Sequence, residues 1–177
     1  MRYSRSPKVR RTAVPLEGDQ ELAALVGCII SQFALTEMEV PGLLVKLTGM
    51  RGDDAHAIVG VFRAFSNRID LLAEVIKRRA EGSPERIIYG YFKGRLKEAN
   101  AIRNKYAHAT YAGGKDQMVL IPYSGDHNRA PEFIEISPDS VKADLLKIAT
   151  INYELTMWRT DQVPQALWKQ LPSEFRA

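Results

Sequence analysis

Apolar residues recur at a helical spacing through the middle of this 177-residue chain, and this pattern constrains the fold more than any other feature. Six of them alternate between spacings of four and three residues: Ile58, Phe62, Phe65, Ile69, Leu72 and Ile76. Such spacing places the side chains on one face of an α-helix, as in the seam of a helical bundle. Asp53 or Asp54 would cap this helix and Gly82 would end it. The pattern predicts one long amphipathic helix that packs against others.

The same periodicity predicts three more helices. The first begins at Asp19, which can cap it, and breaks or kinks at Pro41-Gly42; a further helical stretch follows and ends at Gly49. The third covers residues 84–109 and the fourth residues 138–159, each behind a Ser-Pro start signal. The core positions predicted for these helices are Leu22, Leu25, Val26, Ile29, Phe33, Ile88, Phe92, Ala99, Ile102, Tyr106, Val141, Leu145, Ile148 and Leu155.

Between the third and fourth helices the pattern changes to that of short strands. Residues 118–123 and 132–136 read as two strands, joined by a polar loop that is longer than a tight hairpin turn. Pro122 would place its strand at a sheet edge or mark a bulge. The predicted fold is therefore all-α: an antiparallel four-helix bundle with a small β-hairpin, about residues 117–136, inserted between helices 3 and 4.

Basic residues are concentrated at the N-terminus. The chain carries 25 Lys and Arg against 21 Asp and Glu, but residues 1–16 contain Arg2, Arg5, Lys8, Arg10 and Arg11 and no acid. The predicted organisation is a disordered basic tail over 1–16, the helical bundle over 17–162, and a C-terminal tail over 163–177 that packs on the body. The basic tail is either a solvated segment or an arm that contacts phosphate backbones.

Composition and motifs exclude several classes of protein. Cys28 is the only cysteine, which excludes an intrachain disulfide and a cysteine-based zinc site. The three histidines show no metal-ligand spacing and no Gly-rich loop matches a nucleotide-binding fingerprint, so neither a metal nor a cofactor is expected. No uninterrupted apolar run approaches the roughly 18 residues of a membrane span, and no secretory signal is present. We therefore expect a cytoplasmic protein without membrane contact.

The residues that could carry chemistry lie at the end of the third helix, in the stretch Arg103-Asn-Lys-Tyr-Ala-His108. This stretch resembles the signature of the HEPN family, an arginine followed four to six residues later by a histidine. The resemblance implies an all-α bundle that dimerises through the motif-bearing helices and, in many members, a metal-independent ribonuclease at the dimer cleft. It also implies Arg103 and His108 as the catalytic pair, Asn104 as their polar companion, and often an antitoxin-type protein partner.

The chemistry of these side chains agrees with such a role. Histidine exchanges protons near neutral pH, and a guanidinium binds phosphate oxygens in pairs. Lys105 could hold a neighbouring phosphate, while Asn100 extends the polar stripe of Asn104 and His108 by one turn. On an ideal helix Arg103 and His108 are about 140° apart. They would therefore converge through a bend near His108 or through the pairing of two chains.

Three functions remain open from the sequence. The first is a metal-independent endoribonuclease, of toxin or RNA-processing type, that acts at the cleft of a homodimer. The second is a non-catalytic dimeric helical module that binds a nucleotide, an RNA or a protein partner in the same cleft. In the third, the hairpin and the C-terminal tail serve assembly alone. The alternative for single residues is structural: Arg103 could pair with a carboxylate at the core edge, and His108 could stabilise a helix C-terminus.

Overall fold

The computed structural model describes residues 12–13, 16–114, 117–122, 132–160, 162–169 and 171. In these residues the helices are a short 3₁₀ turn (Leu16–Gly18), α1 (Gln20–Thr48), α2 (Gly52–Val61), α3 (Phe65–Lys77), α4 (Pro84–Ala107), α5 (Pro138–Arg159) and α6 (Gln165–Trp168). The strands are β1 (Thr12–Ala13), β2 (Thr110–Gly114), β3 (Gln117–Ile121) and β4 (Ile134–Ile136). The structure is thus mostly helical with a small antiparallel sheet. This confirms the predicted helical fold class with a small sheet, but not a bundle of four helices.

Helix α1 is continuous through Pro41, where the sequence predicts a break or a kink. Asp19 caps its start by accepting the Leu22 N–H at 3.0 Å, and Gly49 ends it with a left-handed φ of 74°. Proline costs a helix one hydrogen bond, but Val40 beside it is fully buried. Tertiary packing on both sides of the proline therefore keeps the helix intact.

The single helix predicted from Asp53 or Asp54 toward Gly82 is wrong: it is two helices, α2 and α3, separated by residues 62–64. The ring centroid of Phe65 lies 4.8 Å from that of Phe33, in the middle of α1. Farther along, Arg79 donates to the Leu47 carbonyl at 2.6 Å, near the end of α1. The chain therefore runs back along α1 through α2, turns, and follows α1 forward again through α3.

The apolar pattern predicted one helix because its six positions combine residues of α2, of the link and of α3. In α2 the buried residues are Ala55 and Val59, whereas Ile58, which the pattern places in the core, is 39% exposed. Phe62 lies in the extended link between the helices. The last four predicted positions, Phe65, Ile69, Leu72 and Ile76, are the buried residues of α3.

Helix α5 runs parallel to α1. Glu21 at the start of α1 pairs with Lys142 at 2.7 Å, near the start of α5. Glu39, farther along α1, pairs with Arg159 at 3.0 Å, at the end of α5. Helices α1, α3 and α5 therefore share one direction, in contrast to the antiparallel order that the sequence predicts.

Helix α4 runs in the opposite direction and holds the candidate motif at its C-terminus. Arg95 pairs with Glu154 at 3.0 Å, near the end of α5, and Lys105 pairs with Asp144 at 2.8 Å, near its start. These two contacts fix α4 antiparallel to α5. The end of α4 consequently lies beside the start of α5 and next to the sheet.

The sheet has the order β1-β2-β3-β4, with neighbouring strands antiparallel. The predicted hairpin is present as the pair β3 and β4, in which Met118 is opposite Ile136. Strand β2 was not predicted: the predicted third helix ends at residue 109 and the first predicted strand begins at 118, whereas residues 110–114 form this strand. Strand β3 lies between β2 and β4 rather than at an edge, and it ends one residue before Pro122.

The two predicted tails are only partly described. Of the basic segment 1–16, Thr12 and Ala13 pair with β2, and most of the rest lies outside the described residues. In the C-terminal segment Leu167 and Leu171 are buried, while residues 172–177 lie outside the described chain. The loop over 123–131 lies outside it as well.

Helix α1 is long and apolar. By length and composition alone it meets the criterion for a helix that crosses a membrane, although polar residues interrupt its apolar run. Helices that form the core of water-soluble proteins satisfy the same criterion, and Ile29 and Phe33 of α1 are buried in this core. Cys28 of α1 is exposed.

Candidate functional site

Helix α4 ends one residue before His108, and this position determines the geometry of the motif. His108 is the capping residue, with φ −113° and ψ 11°, and its backbone N–H donates to the Asn104 carbonyl at 3.4 Å. These dihedral angles depart from those of an α-helix. The side chain of His108 is therefore not held at the position that an ideal helix would give it.

This departure brings Arg103 and His108 together within one chain. The Nη1 of Arg103 lies 2.8 Å from Nε2 of His108 and 2.9 Å from Oδ1 of Asn104. A guanidinium N–H can only donate, so Nε2 of His108 is the acceptor in a hydrogen bond between the two. The sequence left two ways for Arg103 and His108 to meet, a bend near His108 or the pairing of two chains. In the structure they meet within one chain, at the end of α4.

The aromatic ring of Phe33 supports the same guanidinium from the core side. Cζ of Arg103 lies 5.6 Å from the ring centre of Phe33, within cation–π range. Phe33 is buried, and its ring packs edge-on against Phe65. Arg103 is half-buried, whereas Asn104 and His108 are exposed. The motif is thus anchored at its arginine and open to solvent at its histidine.

The other two predicted site residues lie apart from this group. Lys105, expected to hold a phosphate, donates to Oδ2 of Asp144 at 2.8 Å and is about 160° from Arg103 around the helix. Its charge is therefore directed at α5. Asn100 is half-buried one turn before Asn104. The structure brings together Arg103, Asn104 and His108, and it leaves Lys105 on the opposite side of α4.

Two residues that sequence reasoning missed hold the segment that carries His108. Asp144 accepts hydrogen bonds through Oδ2 from the hydroxyl of Tyr106 at 2.9 Å and through Oδ1 from Lys147 at 3.1 Å. Tyr111 of β2 donates to the backbone carbonyl of Tyr106 at 2.8 Å. The residues on both sides of His108 are therefore fixed. A signal for Asp144 existed in the sequence: it is an acid among the apolar core positions of α5.

The charge state of Asp144 follows from its contacts. Burial by itself would raise the pKa of this carboxyl, but hydrogen bonds from Lys105, Lys147 and Tyr106 outweigh it and hold the pKa below its usual value. Burial and the hydrogen bond to Asp144 raise the pKa of the Tyr106 hydroxyl. Asp144 is therefore an anion at neutral pH and Tyr106 a neutral donor, which is the pairing that their hydrogen bond needs.

We expect Asp144 to contribute stability that disappears in acid. A carboxyl whose pKa is lower in the folded state stabilises the fold above its unfolded pKa, and this contribution is lost as the pH falls through the folded pKa. Urea denaturation of the parent and of Asp144→Asn at pH 7 should give a lower free energy of unfolding for the variant. The difference between the two proteins should shrink at pH 3. An equal difference at both pH values would contradict the assigned charge state.

Metal ligands do not cluster in the described part of the chain: no three His, Cys, Asp or Glu side chains are close enough there to hold an ion. A surface groove of about 420 Å³ lies on α3 and includes none of the motif residues; it is lined by Leu71, Glu74, Val75, Arg78 and Arg79. No family model matches the chain, and no curated protein or solved structure matches it. The functional proposal therefore depends on the motif and its geometry.

Proposed function

We propose that this chain is a HEPN-type protein, with α1, α3, α4 and α5 as its main helices, that binds and cleaves RNA at a cleft shared by two copies. The observation that carries the proposal is the contact of Arg103 Nη1 with His108 Nε2 at 2.8 Å on the surface of one chain. It joins a phosphate-binding cation to a group that can transfer protons.

The contact supplies the groups that metal-independent cleavage of RNA requires. The 2′-oxygen of the ribose attacks the adjacent phosphorus and the bond to the 5′-oxygen breaks, which leaves a 2′,3′-cyclic phosphate and a 5′-hydroxyl. A base takes the 2′ proton, an acid gives a proton to the leaving 5′-oxygen, and a cation stabilises the charge on the phosphorane. A phosphate that takes the N–H of Arg103 would free Nε2 of His108 to act as the base.

The outer face of α4 supports the participation of a second copy. Gly90, Gly94, Lys97, Ala101 and Asn104 lie along one exposed side of this helix. A glycine inside a helix costs about 1 kcal/mol relative to alanine. No described atom lies within 4 Å of the position that a Cβ would take at either glycine, so contacts inside the chain do not explain them. Close approach of a second α4 would explain both glycines. If that second α4 runs in the same direction, it would also place the two His108 side chains near each other to divide the acid and base roles.

A cleavage assay with chelator tests the proposal. We expect the purified protein to cut an end-labelled single-stranded RNA in EDTA, at the rate it shows without EDTA, and to leave 2′,3′-cyclic phosphate ends. An oligonucleotide of the same sequence with 2′-deoxyribose throughout serves as the matched control and should stay intact. Binding of the RNA without any cleavage would overturn the catalytic proposal and favour the non-catalytic binding module.

A further inference from the structure

One hydrogen bond spans the link that carries His108. Helix α4 ends at Ala107 and strand β2 begins at Thr110, so His108 lies in a short link between a helix and a strand. The hydroxyl of Tyr111 in β2 donates to the backbone carbonyl of Tyr106 in α4 at 2.8 Å. This bond joins the two elements directly and encloses His108 in a loop over residues 106–111.

The carbonyl of Tyr106 needs a donor from outside α4. The last four carbonyls of an α-helix have no partner within the helix, because no further turn supplies their N–H groups. His108 still donates its N–H to the Asn104 carbonyl, in a long bond of 3.4 Å, and the backbone then leaves helical geometry. In a longer helix the N–H of residue 110 would donate to Tyr106. The Tyr111 hydroxyl takes its place.

The sheet holds Tyr111 at a fixed position. Tyr111 lies opposite Leu120 of β3, which is fully buried, and its neighbour Ala112 is buried as well. The ring of Tyr111 is half-buried against the core. Burial raises the pKa of its hydroxyl, so this group is a neutral donor at neutral pH. A paired strand therefore carries the donor that reaches the end of α4.

The link itself packs little of its own surface in the core. His108 and Thr110 are exposed, and Ala109 is half-buried. The direction of the His108 side chain therefore depends on the backbone at the two ends of the loop, Tyr106 and Tyr111, which the hydrogen bond joins.

We propose that Tyr111 is a positioning residue, whose hydroxyl holds this loop so that Nε2 of His108 meets Nη1 of Arg103. Tyr111 acts through the backbone of Tyr106 and transfers no proton itself. Its effect on the rate of cleavage rests on the function proposed above, whereas its effect on the geometry of His108 does not.

The variant that tests this role removes a single oxygen atom. Tyr111→Phe keeps the ring and loses only the hydroxyl. Tyr89→Phe is the matched control, because the Tyr89 hydroxyl also donates to a backbone carbonyl, that of Ile69, at 2.8 Å. Tyr89 lies on the same helix, about 28 Å along its axis from His108. Both variants should keep the helical circular dichroism of the parent, and a general loss of stability should affect both.

Kinetic constants separate positioning from binding. We expect Tyr111→Phe to lower kcat for RNA cleavage by about 10- to 100-fold, because proton transfer loses its geometry. KM should stay at the parental value, since Arg103, which would bind the phosphate, is supported by Phe33 and not by the loop. Tyr89→Phe should have the parental kcat. A parental kcat in Tyr111→Phe, or an equal loss in both variants, would overturn the proposal.

Nuclear magnetic resonance tests the position of His108 without catalysis. In a long-range proton–nitrogen correlation spectrum at pH 8, where an imidazole is ordinarily neutral, the Nε2 signal depends on whether this atom accepts a hydrogen bond. The His108 signal, identified by its absence in His108→Ala, should move in Tyr111→Phe and stay in place in Tyr89→Phe. The signal of His56, exposed on α2, should stay in place in both.

The spectrum also separates this proposal from the ribonuclease. An unmoved His108 signal in Tyr111→Phe would overturn the positioning role at any rate of cleavage. A parent that cuts no RNA, but whose His108 signal moves in Tyr111→Phe alone, would overturn the ribonuclease and leave the role of Tyr111 supported.

Discussion

His108→Ala and Arg103→Ala are each expected to slow RNA cleavage by at least about 100-fold, the usual contribution of a positioned acid–base group. His108→Ala removes the nitrogen that is proposed to transfer protons and that lies 2.8 Å from the guanidinium. Arg103→Ala removes the cation that would hold the phosphate. Arg103→Lys should recover only part of the rate, because an ammonium keeps the charge but lacks the planar pair of donors. Cleavage of an end-labelled RNA under single-turnover conditions measures each effect.

Matched controls for these variants exist on the same chain. His56 is exposed on α2 and Arg63 is exposed in the link between α2 and α3, and neither belongs to the motif. His56→Ala and Arg63→Ala should cut RNA at the parental rate. Parental rates in His108→Ala and Arg103→Ala would show that the motif is not the active site.

Asn152→Leu is expected to lower the free energy of unfolding by about 2 kcal/mol, since it removes one buried and two partly buried hydrogen bonds and leaves their partners without this side chain. Its Oδ1 accepts the hydroxyl of Thr36 at 2.6 Å, and its Nδ2 donates to the carbonyl and the Oε1 of Gln32 at 2.7 and 2.8 Å. Thr36 is fully buried and retains a longer contact, 3.3 Å, to the Gln32 carbonyl. Urea denaturation measures the loss, and Tyr153→Ala, a change of the exposed neighbour, should have a much smaller effect.

A double variant checks that the loss comes from unpaired polar groups. Thr36→Val combined with Asn152→Leu should cost less than the sum of the two single changes, because each change removes a partner that the other would leave unpaired. Strict additivity of the two losses would mean that Thr36 and Asn152 stabilise α1 and α5 independently.

Local sequence rules predicted those helix ends that depend on nearby residues. Asp19 and Gly49 cap α1, and the Ser-Pro signals begin α4 and α5 as expected. The division between α2 and α3 could not be predicted in this way. Ile58 and Phe62 continue the spacing of α3 by coincidence, and only packing against α1 selects Ala55 and Val59 as the buried face of α2.

The candidate site was predictable in its residues and only partly in its geometry. Arg103, Asn104 and His108 do form one group, but ideal helix angles separate the arginine from the histidine. Their contact depends on where α4 ends. Lys105 was assigned to phosphate because its partner Asp144 is 39 residues away in the chain, and no local rule identifies such a pair.

The packing of α1 against α5 joins two helices that are made at different times during synthesis of the chain. Helix α1 leaves the ribosome early, and α5 follows after a delay on the order of 10 s at usual elongation rates. Until then the uncharged stretch between Glu21 and Glu37 lacks the helix that covers one of its sides. Arg103 and His108 emerge before Asp144, which fixes the segment between them. A nascent chain would therefore carry the motif before it could hold it in place, and any RNA cleavage would begin only after α5 has been made.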